Sequence, residues 1–164
     1  MGYDFETIEG QRELSFNVTG MSLILRLLHQ RDVLDWDDSD LPAGPELDLY
    51  DDDDEWMRVW DANQAAWQAE RQAAEQWRIP VAKFRSNGDW LVFPAECRLI
   101  ADALRAATPA DAAAVTDDYD TKAASHPRIT IDWGDDRVRD LLQAARDLAD
   151  YAEAAAGLGG FRVR

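Results

Sequence analysis

The residues with the clearest chemical potential are carboxylates in one stretch, residues 35–55, which holds eleven acids and no base. Four oxygen-bearing side chains in it match the register that calcium-binding loops use, namely Asp35, Asp37, Ser39 and Glu46. The sixth position, where such loops turn on glycine, is Asp40, and two prolines at 42 and 45 prevent a helix from starting there. The pattern therefore favours a solvated or partner-facing acidic loop over a calcium site.

Four consecutive aspartates, Asp51 to Asp54, precede the longest helical pattern in the chain. Clustered carboxylates can bind a divalent metal or raise one another's pKa for acid–base catalysis. A helix N-terminus also favours negative charge, so capping by Asp52 to Glu55 accounts for part of the run without any ligand. We interpret the remaining charge as available to a partner.

The other residue types that enzymes use for catalysis lie apart from one another. Neither His29 nor His126 has a Cys, His or acidic neighbour at metal-ligand spacing. Cys97 lies on an apolar helical seam, a position typical of core packing. The chain contains no nucleophile elbow, phosphate-binding loop, dinucleotide glycine fingerprint or zinc-binding helix motif. We therefore expect no catalytic residue and no cofactor.

Tryptophans form the second strong signal, because seven of them occur in 164 residues. A helix predicted over Glu55–Arg78 carries four, three within about 40° of one another and the fourth roughly 60° to one side: Trp56, Trp60, Trp67 and Trp77. Asn63 and Glu70 project within the same stripe. Either the stripe is core, where a buried Glu70 needs a cationic partner, or it is half covered and forms a groove or an interface.

The composition limits the classes of partner. The chain has 33 acids and 17 bases, a net charge of −16 that repels nucleic-acid phosphates and anionic membrane surfaces. The same charge suits a basic protein partner, or simply solubility. Fifteen of the bases are arginine, which together with many alanines indicates a GC-rich bacterial genome. One cysteine, no apolar run of membrane-spanning length and no signal-peptide pattern after Met1 predict a cytoplasmic protein without disulfides.

Hydrophobic periodicity predicts the elements that position these residues. Alternation predicts two hairpins, a short strand and a final edge strand: Tyr3–Ile8 with Glu13–Val18, Val81–Phe84 with Trp90–Phe93, Arg128–Trp133, and Phe161 to Val163. Helical spacing predicts five helices, of which the first is apolar nearly all round and is expected to be the core helix: Gly20–Leu34, Glu55–Arg78, Pro94–Ala107, Pro109–Val115 and Asp136–Ala156.

The predicted fold is therefore α+β in one domain, residues 1–164. An antiparallel sheet of two hairpins and one or two short strands packs against three to four helices, one of them long and tryptophan-rich. Thr19 is expected to cap the first helix, and Asp117–Pro127 to form a polar loop. The acidic residues 35–54 form an irregular loop, a length that in compact domains is functional or disordered.

The leading functional hypothesis is a non-enzymatic interaction module that binds a basic partner. In size, acidity and lack of catalytic motifs the chain resembles small bacterial or phage-encoded inhibitor and immunity proteins, and its carboxylates could stand in for nucleic-acid phosphates. The residues expected to contact the partner are the acids and aromatic side chains of one region: Asp35, Asp37, Asp38, Asp40, Asp51, Asp52, Asp53, Asp54, Trp56, Trp60 and Glu70.

Two alternatives stay open. One is a small enzyme or ligand-binding protein whose pocket lies between the sheet and the tryptophan helix, with Asp61, Glu70 or acids of the loop as its polar groups. The other is a homodimer that forms through the tryptophan helix.

Overall fold

The computed structural model describes residues 2–10, 12–37, 41–46, 49, 52–73, 77–85, 89–124 and 136–164. Within these residues the chain forms five α-helices and a four-stranded antiparallel sheet, which confirms the predicted α+β class. In chain order the elements are β1 (Gly2–Thr7), β2 (Glu13–Asn17), α1 (Val18–Gln30), β3 (Leu34–Asp35), α2 (Asp53–Gln72), β4 (Ile79–Pro80), a 3₁₀ turn (Val81–Phe84), β5 (Leu91–Val92), α3 (Pro94–Arg105), α4 (Pro109–Ala124), α5 (Arg137–Ala156) and β6 (Phe161–Val163).

The N-terminal hairpin and the core helix form as predicted, with shifted boundaries. Strands β1 and β2 pair antiparallel. Helix α1 begins before Gly20 because Asn17, rather than Thr19, caps it: the Asn17 side chain accepts a hydrogen bond from the Gly20 N–H at 2.7 Å. The helix ends at Gln30, short of the predicted Leu34, since Asp32 takes a left-handed backbone conformation with φ of 63°. Its apolar side chains are buried, as expected for the core helix: Met21, Leu23, Ile24, Leu25, Leu27 and Leu28.

The last strand is not an edge strand, and that prediction is wrong. The strand order in the main sheet is β2-β1-β6-β5, so β6 lies between β1 and β5. All three residues of β6 are buried, because β1 and β5 pair with its two edges and α5 covers one face. Phe161 contacts the rings of Phe5 and Tyr151 at centroid distances of 5.4 and 5.5 Å.

The predicted second hairpin does not form. Val81–Phe84 is a 3₁₀ turn with four buried side chains, and β5 pairs with β6 instead. An alternating hairpin strand would point every second side chain outward, whereas here all four are enclosed. The preceding strand β4 pairs in parallel with β3, a small sheet that was not predicted. The Asn87-Gly88 turn on which the prediction depended lies outside the described residues, as does the predicted strand Arg128–Trp133.

Two helices have lengths that differ from prediction. Helix α2 ends at Gln72, so Trp77 is not part of it. Helix α4 continues past Val115 to Ala124, through a segment predicted to be loop. Its additional turns are held against α1, where Tyr119 packs beside the core and Arg26 pairs with Asp118 at 2.7 Å.

Two hydrophobic clusters make up the interior of the described residues. The larger one lies between the main sheet and helices α1, α3, α4 and α5. The smaller one consists of buried Trp60, Ala82 and Trp90, with Leu41, Trp56 and Met57 packed against it. Helix α2 belongs to this second cluster and forms a separate layer at the side of the main core.

Candidate protein-binding surface

The described acids of residues 35–55 fall into two groups, one in and after β3 and one at the start of α2. Asp35 is half-buried in β3, and its Oδ1 accepts a hydrogen bond from the backbone N–H of exposed Asp37 at 3.0 Å. Glu46 is exposed further along the segment. Asp38, Ser39, Asp40 and Asp51, which were also named as partner or calcium ligands, lie outside the described residues. The part of the chain that is described contains no group of three or more candidate metal-binding side chains.

The second place is the first turn of α2. Of the four residues predicted to cap this helix, Asp52 is the one that does so: its Oδ1 accepts a hydrogen bond from the Glu55 N–H at 2.6 Å, and the helix begins at Asp53 rather than at the predicted Glu55. Asp53, Asp54 and Glu55 follow at once, and all three are exposed. A rigid helix start therefore presents three adjacent carboxylates to solvent.

Within the described residues, no base forms a salt bridge with this turn; the nearest contact is Arg58, whose Nε donates a hydrogen bond to the Asp54 backbone carbonyl at 3.3 Å. In the salt bridges between two described residues, every acid lies outside residues 35–55. The bases that take part in them are Arg26, Arg31, Arg78, Lys83, Arg105, Arg137, Arg139, Arg162 and Arg164. Asp53, Asp54 and Glu55 take part in none of the salt bridges between described residues. The negative charge of these three carboxylates is therefore accessible to solvent ions or a partner.

Five tryptophan rings run side by side along α2. Trp90 lies at the middle. Trp60 is 2% exposed, and its ring centroid is 6.3 Å from that of Trp56 and 4.9 Å from that of Trp90. Trp67 continues the row, 6.2 Å from Trp90 and 5.8 Å from Trp77. Sequence periodicity identified the helical members but could not find Trp90, which approaches from another part of the chain.

Trp56 connects the tryptophan row to the acidic segment. Its side chain is half-buried, and its Nε1–H donates a hydrogen bond to the carbonyl of Pro45 at 2.9 Å. The residue therefore holds part of the segment against α2. It also keeps some aromatic surface accessible beside the carboxylates of the first turn. The tryptophan stripe is thus core at Trp60 and partly open at Trp56.

Of the two alternatives for Glu70, the buried one is wrong. Glu70 and Asn63 are exposed, whereas the face of α2 that meets the body of the protein carries Trp60, Gln64 and Gln68, spaced one turn apart. Hydrophobic patterning alone predicts that Gln68 faces solvent, because it assigns only apolar residues to the buried stripe. Glu70 needs no buried partner in this arrangement, and it lies away from the acidic first turn.

The glutamines dock α2 on the backbone and on a buried ion pair. Gln64 accepts a hydrogen bond from the Leu91 N–H at 2.8 Å, and Gln68 accepts one from Lys83 Nζ at 3.2 Å. Lys83 Nζ also lies 2.7 Å from a Glu96 oxygen and donates to the Leu91 carbonyl at 2.9 Å. The side chains of Gln64, Gln68, Lys83 and Glu96 are all buried, so the cluster acts as a polar core.

Burial controls the protonation of this pair. It raises the pKa of Glu96 and lowers the pKa of Lys83, while the charge of each partner opposes that change. Glu96 lies in the first turn of α3, where it also accepts a hydrogen bond from the Phe93 N–H at 2.9 Å. The sequence analysis did not identify this pair. The available signal is that Lys83, one of only two lysines in the chain, lies between apolar residues.

A second charged contact, made by Arg162, also has a structural role. Arg162, from β6, is 5% exposed and contacts both Asp61 of α2 and the carbonyl of Asp89. Asp61 was considered as a polar group of a pocket, but here it anchors α2 to the sheet.

Comparisons of the chain with models of protein families, with curated proteins and with solved structures found no match. Among the helices of the described residues, none has the length and apolarity needed to cross a bilayer.

Proposed function

We propose that the protein is a non-enzymatic interaction module that binds a basic protein through an acidic surface, formed by residues 35–55 and the first turn of α2. The observation that carries this proposal is the exposed trio of Asp53, Asp54 and Glu55 on a capped helix start, with no salt bridge to a described residue. A cytoplasmic, bacterial setting belongs to the same proposal.

The distribution of charge supports a partner better than solubility alone does. Solubility requires net charge anywhere on a surface, whereas eleven acids here fall within 21 residues that contain no base. Elsewhere the acids are interspersed with arginines, and several of the described ones pair with them, for example Asp118 with Arg26 and Asp150 with Arg105. A concentrated field of one sign accelerates association with a surface of the opposite sign.

Trp56 supplies an apolar contact within the charged surface. Tryptophan is among the residues that contribute most to binding energy at interfaces, and its ring also attracts guanidinium groups. Carboxylates bind the same groups in a bidentate geometry. An arginine-rich face of a toxin or a nucleic-acid-binding protein therefore suits this surface, and the carboxylates would occupy the places of phosphates.

The test compares two triple variants with the same change in net charge. In the first variant, Asp53→Asn, Asp54→Asn and Glu55→Gln neutralise three carboxylates of the surface but retain Asp52, which caps α2. Glu9→Gln, Glu13→Gln and Asp102→Asn neutralise three exposed acids elsewhere and serve as the control. The wild-type chain captures partners from a lysate of the source organism at roughly 50 mM salt, and roughly 500 mM salt releases them.

Affinity for the purified partner is then measured for all three proteins by calorimetry. We expect the first triple to weaken binding by about tenfold or more and the control by less than about twofold, because the nearby charges are lost only in the first. Equal affinities for the two triples, or an affinity that does not change with salt, would rule out the acidic surface. The homodimer alternative is tested in parallel by sedimentation equilibrium at high protein concentration.

A further inference from the structure

The main sheet has two edges, and buried side chains close one of them. Strand β5 forms that edge, and both backbone groups of Leu91 bond to side chains. The Leu91 N–H donates to Gln64 Oε1 at 2.8 Å, and the Leu91 carbonyl accepts from Lys83 Nζ at 2.9 Å. An unpaired strand edge is a template on which another strand can add. At β5 these two side chains already occupy the positions that an added strand would need.

The opposite edge is β2, which among the strands of the described residues pairs with β1 alone. In β1, the backbone of Asp4 exchanges hydrogen bonds with that of Arg164 at 3.0 and 2.7 Å, on the side of β6. Backbone groups alternate in direction along a strand, so the neighbours of Asp4 bond to β2 through Leu14 and Phe16. The N–H and carbonyl of Ser15 therefore point away from β1, at the open edge.

The five residues of β2, Glu13–Asn17, lack the features that usually block an edge. Edge strands are commonly protected by lysine, by proline or by a bulge. This strand contains neither residue type, and its register with β1 runs without interruption. Leu14 and Phe16 pack against the main core but are only partly buried, whereas Ser15 is exposed. An added strand would complete the covering of the two apolar side chains.

The sequence of β2 complements itself in the antiparallel direction. With Ser15 on a two-fold axis, the Ser15 residues of two copies exchange backbone hydrogen bonds. Leu14 then faces Phe16 of the second copy in the closely spaced kind of pair, where side chains contact each other. Glu13 faces Asn17 of the second copy. The Asn17 Oδ1 accepts a hydrogen bond from Gly20, so its amide N–H₂ is the group available to donate to the carboxylate.

We propose that a second copy of this chain adds to the edge of β2, which joins the four-stranded sheets of two copies into one continuous sheet. A second copy fits because apolar residues meet apolar residues and an acid meets an amide donor. The two Glu13 carboxylates lie four residues apart along the paired strands, roughly 13 Å, which exceeds the screening length at physiological salt. This contact excludes α2, which docks beside β5 at the opposite edge, so it does not depend on the acidic surface.

The net charge gives this dimer a characteristic salt dependence. Each copy carries −16, so repulsion opposes association and salt screens the repulsion. Sedimentation equilibrium of the full chain, from roughly 10 to 500 μM at about 50 and 500 mM NaCl, measures the dissociation constant. We expect a dimer whose dissociation constant falls at least about threefold at the higher salt concentration. Binding of a basic partner through the acidic surface should change in the opposite direction.

Two substitutions at Ser15 test the backbone contact. Ser15→Pro and Ser15→Ala both remove the hydroxyl that donates to Asp4 at 2.6 Å. Proline also removes the N–H at the two-fold axis, and this N–H makes no bond to β1, so the hairpin keeps its ladder. We expect Ser15→Pro to weaken association at least about tenfold and Ser15→Ala less than about twofold. Circular dichroism verifies that each variant is folded.

A charge exchange tests the register without proline. Asn17→Asp retains the cap of α1 and places a second acid opposite Glu13, so association at low salt should weaken at least about fivefold. Adding Glu13→Lys should restore it, because Lys and Asp then face each other. Adding Asp102→Lys instead makes the same change in net charge at an exposed site on α3 and should not restore it.

Three results would overturn the proposal. The first is a monomer at every protein and salt concentration. The second is equal association of Ser15→Pro and Ser15→Ala, which would place the contact elsewhere, for example on the tryptophan helix. The third is equal restoration by Glu13→Lys and Asp102→Lys, which would mean that net charge, and not the pairing of β2 with its copy, controls association.

Discussion

At the scale of single residues, the least expected feature is the buried pair of Lys83 and Glu96. Both side chains are 0% exposed. A buried ion pair is weak evidence for stability by itself, since desolvation offsets the attraction between the charges. Here four further groups share the polar atoms: the Gln68 amide, the Leu91 carbonyl, the Phe93 N–H and the Phe93 ring, which lies 4.5 Å from Lys83 Nζ. The pair therefore specifies how α2, α3 and β5 meet.

Removing one member of the pair should be far more harmful than removing both charges. We expect Lys83→Met to lower the free energy of unfolding by about 3–5 kcal/mol, because Glu96 is left buried without its cation. Adding Glu96→Gln, which keeps an acceptor for the Phe93 N–H, should recover about 1 kcal/mol or more. Urea unfolding measures all three proteins.

The matched control is Arg105→Gln. Arg105 pairs with Asp150 at 2.9 Å and with Glu153, in an exposed cluster where solvent screens the interaction. Its loss should be much smaller than that of Lys83→Met. Equal losses for the two variants would mean that burial does not set the importance of the pair.

Cys97 should make stability depend on alkaline pH. Burial, with a smaller contribution from the Glu96 charge, raises the pKa of this thiol from 9.0 to about 12. The unfolded thiol ionises first, so the contribution to stability is complete below pH 9 and is lost as pH rises from 9 towards 12. At pH 10 the loss amounts to about 1 kcal/mol.

Urea unfolding at pH 7, 8.5 and 10 checks this, with Cys97→Ala as the comparison. The variant should lose less stability between pH 8.5 and 10 than the wild type does. Part of the decline should persist, because burial also raises the pKa of Tyr151. A decline of equal size in both proteins would show that the thiol has no part in it.

At the scale of elements, β6 joins the N-terminal hairpin to β5 and depends on one glycine. Gly160 has φ of 102°, and a Cβ on it would lie 2.2 Å from the carbonyl oxygen of Val92. Strand β5 therefore approaches the backbone where a side chain cannot fit. The C-terminal segment is consequently part of the centre of the sheet.

We expect Gly160→Ala to lower the free energy of unfolding by about 2–4 kcal/mol, through backbone strain and the displacement of β5. Gly157→Ala is the control, because Gly157 has φ of −84° and its Cβ would lie 3.5 Å from the nearest atom. That change should stay within about 1 kcal/mol of the wild type. Thermal and urea unfolding measure both, and equal effects would contradict the close approach at Val92.

Helix α2 differs from the other helices in what holds it. Its buried face is Trp60, Gln64 and Gln68, and Arg162 reaches it from β6. A helix docked through hydrogen bonds requires specific partners, whereas an apolar stripe packs against any apolar surface of suitable shape. The first turn of α2 can therefore carry unpaired acids without exposing the main core.

At the scale of the whole molecule, the net charge of −16 should oppose folding. Like charges repel more strongly in the compact state, and salt screens that repulsion. The thermal midpoint should therefore rise by roughly 3 °C or more between about 20 and 300 mM NaCl.

The triple variant Asp53→Asn, Asp54→Asn and Glu55→Gln should show a smaller rise, since it removes adjacent charges that no described base pairs with. Differential scanning calorimetry gives the midpoints. A midpoint that is independent of NaCl would mean that the acids are spaced widely enough for their repulsion to be negligible.

The sequence by itself determined the features that depend on local patterns. These include the α+β class, the N-terminal hairpin, the buried core helix, the Asp52 cap and the concentration of acids ahead of α2. Alternation, apolar spacing and capping chemistry act between residues close in the chain, so they can be read without knowing the fold. The acidic character of the proposed surface belongs to this group.

The tertiary structure decided everything that needs a partner distant in the chain. It placed β6 inside the sheet, enclosed Lys83 with Glu96, exposed Glu70 and brought Trp90 into the row of α2 tryptophans. Polar residues give no periodic signal of burial, because a glutamine or lysine becomes core only when another element supplies its hydrogen bonds. Strand order has the same origin, since it is the packing of distant segments, and not local alternation, that selects which strands pair.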